Sequence, residues 1–145
     1  MKITEKAFLD IKRHAEKGYP SEVVGILAGH QVEQKISVIV PLTNLKNDTH
    51  NRYLVDSKEQ WQVEQRLEDA GFDVLGYYHS HPDHPSQFSL YDQEHALPNM
   101  HYLIMSVQGG KSRQTQTWKL RDDRSTMDEI YFKKIPTTPV QRRTL

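Results

Sequence analysis

Apolar side chains recur at helical spacing near the start of this chain, at Ile3, Ala7, Phe8, Ile11 and Ala15. The stripe predicts an amphipathic helix that starts behind Thr4 as its N-cap and ends at Gly18. The run EVVGILAG that follows is apolar without a helical period and predicts a short buried strand. A turn through Gly29 to Gln31 leads into VEQKISVIVPL, where Val32, Ile36, Val38 and Val40 mark a second strand paired with the first as a hairpin. The polar stretch from Thr43 to Asp56 predicts a loop. Ser57, with Gln60 three residues on, opens a second helix through Trp61 and Leu67 that stops at Gly71. DVLGYYHSH predicts a third strand, and Ser89 with Asp92 opens a short helix ending before Pro98. HYLIMSVQ, a Gly109-Gly110 turn, RQTQTWKL and EIYFKKI predict three more strands, and PTTPVQRRTL a frayed tail. Trp61, Tyr77 and Tyr78 are expected to be packing residues.

Composition narrows the possibilities. With 145 residues, 36% of them hydrophobic, the chain can bury one core and is too short for two. One domain over residues 1–135 with a tail over 136–145 is therefore expected. Lysine plus arginine equals aspartate plus glutamate at 19 each, so no basic field exists to hold nucleic acid or an anionic membrane. The longest apolar run, Val23 to Gly29, falls far short of the roughly 20 residues of a membrane-spanning helix, and MKITEKAFLD lacks the apolar core of a signal peptide. The expectation is a cytoplasmic protein. Cysteine is absent, which excludes disulfides, thiolate ligands and a cysteine nucleophile. Any metal must be held by histidine and carboxylate.

The chemistry concentrates in GYYHSHPDHPSQFSLYD, Gly76 to Asp92, where three histidines and two aspartates fall within seventeen residues. His79 and His81, two apart at a strand end, leave the same face and can converge on one point, while Ser80 faces away. A catalytic zinc ion typically takes three protein ligands and keeps a fourth position for water. Asp92, in the first turn of the short helix, is a candidate third ligand; Asp83 is the rival, but it requires a sharp turn at Pro82. Ser89 can cap the helix or turn its hydroxyl into the site, and both readings stand. A general base completes such a site. Glu22, placed directly before the apolar strand, is the upstream candidate for a carboxylate at a strand mouth. His84, His95 and His101 are expected to be surface or supporting residues.

Glu22 ahead of VVGILAG, then His79-Ser80-His81-Pro82, with Ser89 after the seven residues that follow His81 and Asp92 after two more, resemble the full motif of the JAMM (MPN+) zinc metalloproteases. RYLVDSKEQ, Gly76 and YLIMSVQ resemble the small stand-alone bacterial type, and the resemblance runs from about Thr4 to Leu120. It implies zinc on His79, His81 and Asp92, Glu22 as general acid/base on the zinc-activated water, and Ser89 stabilising the oxyanion. It implies an α+β, three-layer fold with a curved mixed sheet flanked by helices, distantly similar to cytidine deaminases. It further implies hydrolysis after the C-terminal Gly-Gly of a ubiquitin-like or sulfur-carrier protein. A tail without side chains can lie extended beside a strand edge, and the loop from Thr43 to Val55 is the candidate wall of its channel. Small bacterial relatives often have cysteine where this chain has Val24, and proline where it has Phe88; neither position supplies a ligand. The alternative is a non-catalytic scaffold of the same fold. A deaminase is excluded, because its zinc signature needs cysteine.

Overall fold

The computed structural model describes residues 1–46 and 53–138. Its elements run β1 (Lys2–Thr4), α1 (Glu5–Gly18), β2 (Val24–His30), β3 (Lys35–Leu42), α2 (Ser57–Asp69), β4 (Asp73–Pro82), α3 (Leu90–His95), β5 (His101–Gln108), β6 (Lys111–Leu120), β7 (Met127–Ile130) and β8 (Lys133–Ile135). The strands form one mixed sheet in the order β7-β6-β5-β4-β2-β3-β1-β8. β4 runs parallel to β5, and β1 runs parallel to both of its neighbours. The remaining pairs are antiparallel.

Helix α1 forms where the apolar stripe predicts it. Thr4 Oγ1 accepts from the Ala7 amide at 3.1 Å and satisfies one of the amides that the first turn leaves unpaired. Ala7, Ile11 and Ala15 are then buried against Leu27, Leu75, Tyr78, Leu103 and Met105 on one face of the sheet. Each large apolar side chain so buried contributes about 1.5–3 kcal/mol. Helix α2 covers the opposite face through Leu67, over Val24, Ile26, Ala28 and Leu42. The sheet is thus the middle of three layers. A third cluster, Tyr102, Ile104, Trp118, Leu120 and Met127 with Ala96 at the end of α3, extends the core toward β7.

A bulge in β4 decides which layer receives the histidines. Leu27 pairs with Gly76 and Ala28 with Val74, so Leu75 is an extra residue in the ladder. Val74 and Tyr77 both join the α2-side core, three positions apart, while Leu75 and Tyr78 join the α1 side. Strict alternation from Val74 would have put His79 and His81 under α1; the bulge moves them to the α2 face. Two glycines permit the surrounding close packing. A Cβ on Gly76 would lie 1.8 Å from the His101 carbonyl oxygen in β5, and one on Gly25 would lie 2.3 Å from the Tyr78 ring.

Several expectations need correction. Three-residue β1 was invisible as a strand, and Ile3 is buried as part of it. Val32 belongs to the turn and is 99% exposed, so the second strand begins only at Lys35. Helix α2 is capped by Asp56, whose side chain accepts from the Lys58 amide at 2.9 Å; Ser57 is already helical. Trp61 is 62% exposed rather than packed, whereas Tyr78 is fully buried and Tyr77 packs in the core as expected. EIYFKKI is two strands, not one: β7 pairs with β6 and β8 with β1, at opposite edges of the sheet. Phe132, between them, packs against the α1-side core and stacks on Phe8 at 6.2 Å. Within the expected tail, Thr137 Oγ1 accepts from the Lys6 amide at 3.0 Å; residues 139–145 lie outside the described residues. Among the described residues no helix is long and apolar enough to cross a membrane.

Candidate active site

The antiparallel pairing of β2 with β4 sets Val24 opposite His79. Glu22, two residues before Val24, shares that face by the period of an extended chain, and His79 and His81 share it on β4. Ser80 turns away and its Oγ accepts from the Val23 amide at 2.9 Å, which extends the pairing of the two segments up to Glu22. Helix α3 brings in Asp92 from the other side. His79 Nε2 lies 3.1 Å from Asp92 Oδ1, His81 Nε2 lies 3.3 Å from Asp92 Oδ2, and the two Nε2 atoms are 3.2 Å apart. Glu22, His79 and His81 each offer a ligand atom, all within 4.8 Å of one another. Glu22, His79 and Asp92 are buried at 3%, 2% and 6% exposure, so water does not screen this cluster.

The surrounding bonds aim the donors. His81 Nδ1 lies 2.8 Å from the Pro85 carbonyl oxygen, which fixes the proton on Nδ1 and leaves the Nε2 lone pair facing inward. Ser89 and Asp92 form a reciprocal cap: Ser89 Oγ accepts from the Asp92 amide at 3.1 Å, and Asp92 Oδ2 accepts from the Ser89 amide at 2.8 Å. This capping uses a lone pair of the Ser89 hydroxyl, and its proton stays available to donate. Asp83 is not part of the cluster. Its Oδ1 accepts from the Gly109 amide at 2.9 Å and its Oδ2 from the Tyr19 hydroxyl at 2.7 Å, so it anchors the turn after β4. His95 stacks on Tyr91 at 4.0 Å. His101 sits beside Gly76, at the opposite end of β4 from His81, where burial pushes its pKa down to about 4.

Burial and mutual charge set the protonation of the cluster. Burial, opposed by His81 and reinforced by Asp92, pushes the Glu22 carboxyl up to about 8. Burial also works against the Asp92 carboxylate, yet His79, His81 and the Ser89 amide hold it well below the usual carboxylate range. Burial lowers His79, with Asp92 opposing; in His81 the bonds to Asp92 and Pro85 outweigh burial and raise it. A divalent cation fits this set on two counts. In the protonation state that can ligate a metal, with both carboxylates ionised and both imidazoles neutral, the cluster would carry a buried charge of −2 that such a cation balances. Glu22 Oε2 is also buried without a hydrogen-bond partner among the described residues, and a polar atom in that position calls for a water or ion. Two histidines and one carboxylate are a donor set that holds catalytic divalent metals, zinc among them.

Sequence reasoning missed the aromatic residues beside the cluster. The Tyr53 ring lies 4.9 Å from the His79 ring, and the Tyr91 hydroxyl donates to the Tyr53 carbonyl at 2.9 Å. Tyr53 stands within the loop expected to wall the site; residues 47–52 of that loop lie outside the described residues. A cavity of about 340 Å³ opens over Glu22, His81, Ser89 and Asp92, and a second of about 300 Å³ is lined by Tyr53, Tyr77, Tyr91 and Tyr102. Tyr91 borders both. No periodicity marks these tyrosines, because they come from four separate segments.

Residues 4–121 match the family described as prokaryotic homologs of the JAB domain. The chain belongs to this family. This JAB protein is 35% identical to the desampylase of Haloferax volcanii over 104 residues, covering 68% of this chain and 75% of the relative. It is 28% identical over 118 residues to the CysO-cysteine peptidase of Mycobacterium tuberculosis, covering 81% and 80%. A solution structure of a Desulfitobacterium hafniense protein superposes with a TM-score of 0.80 at 26% identity, covering 94% of this chain and 93% of the other. The crystal structure of a JAB1/MPN domain protein from Archaeoglobus fulgidus superposes at 0.62 with 17% identity, covering 93% and 99%, a likeness of fold. The expected JAMM/MPN membership and the curved mixed sheet flanked by helices are both borne out. With peptidases as its named relatives, the JAB protein is a hydrolytic enzyme.

Proposed function

We propose that this protein is a cytoplasmic zinc-dependent peptidase or isopeptidase that cleaves after the C-terminal Gly-Gly of a ubiquitin-like or sulfur-carrier protein, with residues 1–135 as its catalytic domain. The observation that carries the reading is the convergence of His79, His81 and Asp92 within 3.1–3.3 Å of one another, with Glu22 buried beside them. His79, His81 and Asp92 would hold the zinc. When bound, zinc supplies the Lewis acidity that polarises a scissile carbonyl and makes a water nucleophilic at neutral pH. Glu22 takes the proton from the attacking water and passes it to the departing amine. The Ser89 hydroxyl donates to the oxygen of the tetrahedral carbon. The names of the relatives, a desampylase, a CysO-cysteine peptidase and a probable TtuB-protein conjugate cleaving protease, support a protein-conjugate substrate. A diglycine tail suits the site because, lacking side chains, it can come close to the buried cluster.

Incubating the zinc-loaded enzyme with carriers extended beyond Gly-Gly tests this by mass spectrometry. The expected product ends at the second glycine, and a bulky residue in place of that glycine should abolish cleavage. A protein that binds both carriers and releases nothing from either is a scaffold, and the hydrolase reading fails. Ser89→Ala should lower kcat by roughly two to three orders of magnitude through the lost oxyanion donor. It should also cost about 1 kcal/mol of stability through the lost cap. Turnover assays and thermal melts on the same preparation check both; unchanged turnover with a lowered Tm would assign Ser89 to the helix alone.

A further inference from the structure

Glu22 lies one step beyond the paired part of the sheet. The β2–β3 ladder begins at Val24 opposite Leu42, so the Glu22 carbonyl has no ladder partner from β3. A side chain supplies that rung. Asn44, just past the end of β3, donates from Nδ2 to the Glu22 carbonyl at 2.8 Å. Asn44 Oδ1 accepts from the Lys46 amide at 2.9 Å and from the Leu54 amide at 3.0 Å, and Asn44 pairs with Val55 in an isolated bridge. The segment held in this way carries Tyr53, whose ring faces His79 and whose carbonyl is held by Tyr91, the residue before Asp92. One amide group therefore connects the residue bearing the base to the wall beside the first histidine.

We propose that Asn44 is a positioning residue for the hydrolysis: it sets the backbone of Glu22 and the Tyr53 wall in register, so that the base and His79 face one substrate path. This rests on the reading of Glu22 as the general base. Asparagine fits because the task needs a donor for a carbonyl and an acceptor for two amides from one short side chain. Alanine loses these bonds. Aspartate keeps the acceptor for Lys46 and Leu54 but sets a second oxygen against the Glu22 carbonyl, so it cuts the tie to the base and spares the wall.

The test compares wild type, Asn44→Ala and Asn44→Asp for kcat and KM on an extended carrier, for bound zinc, and for amide hydrogen exchange. Both variants should keep about one zinc and a KM within a few-fold of wild type. Their kcat should fall about 10- to 100-fold, the scale of a misplaced catalytic group. In Asn44→Asp the Leu54 and Lys46 amides should stay protected while the Val23 amide, next to Glu22, exchanges roughly fivefold faster, the equivalent of one hydrogen bond. Wild-type kcat and wild-type exchange at Val23 in Asn44→Asp would overturn the proposal and leave Asn44 as a loop fastener. Zinc lost in step with activity would overturn it too. Absence of turnover in the wild type would instead overturn the hydrolase reading, and the exchange at Val23 then judges the tie to Glu22 by itself.

Discussion

Glu22→Gln is expected to leave about one zinc bound and to lower kcat by roughly two to four orders of magnitude, the usual worth of a general acid/base. Glutamine keeps the size and polarity of the side chain, and the three donors His79, His81 and Asp92 are untouched. The carboxylate has a distinctive environment: its Oε2 is buried with no hydrogen-bond partner among the described residues, although most buried polar atoms are bonded. Such an atom fits a group that meets its partner only when substrate water arrives. A pH signature accompanies the substitution. Burial raises the folded-state pKa of Glu22 from 4.5 to about 8, so folding takes up a proton there. That contribution to the stability of the metal-free protein is fully present below pH 4.5 and is lost as pH rises through about 8. Metal-stripped Glu22→Gln should lack this particular loss, and thermal melts across that range compare the two. Metal analysis with single-turnover kinetics decides the main point: a zinc-loaded Glu22→Gln protein that hydrolyses at the wild-type rate would remove Glu22 from the reaction.

The residue types and order of the site were legible because they are local or motif-bound. His79 and His81 are two apart on an extended chain, and Ser89 and Asp92 carry a capping signature that the structure reproduces atom by atom. The face they occupy was not legible. The extra residue at Leu75 inverts the alternation of β4, and nothing in DVLGYYHSH marks a bulge except Gly76, whose missing Cβ lets β5 approach. The same limit applies at the edges of the sheet. Lys2–Thr4 is too short to show a period, and the break in EIYFKKI depends on Phe132 finding the α1-side core, a contact distant in sequence. Trp61 is 62% exposed because, two positions before Val63, it points away from the face that Val63 and Leu67 share and pack on the sheet. Asn44 was invisible for another reason: a lone asparagine in a polar loop reads as turn chemistry until its backbone partners are known.

Removing any one of the three ligands should remove the zinc. His79→Ala, His81→Ala and Asp92→Ala each leave two donors. The loss in affinity should therefore exceed the roughly 10- to 100-fold that follows from deleting an outer hydrogen-bond partner of a ligand. Alanine at position 92 is ambiguous by itself, because Asp92 also accepts from the Ser89 amide and a melted α3 would scatter the site. Asp92→Asn separates the two effects. The asparagine carbonyl oxygen can still accept from that amide, so α3 should survive. The metal-free protein should melt somewhat lower, since the charge that His79 and His81 stabilise is gone, and the neutral ligand no longer balances a dication in a buried site. Asp83→Asn is the matching control, since Asp83 bonds Gly109 and Tyr19 and stands outside the cluster. It should keep the zinc. Competition with a chromophoric chelator reads both affinities, and wild-type zinc affinity in Asp92→Asn, or zinc loss in Asp83→Asn with Asp92→Asn unaffected, would transfer the third ligand from the helix to the turn.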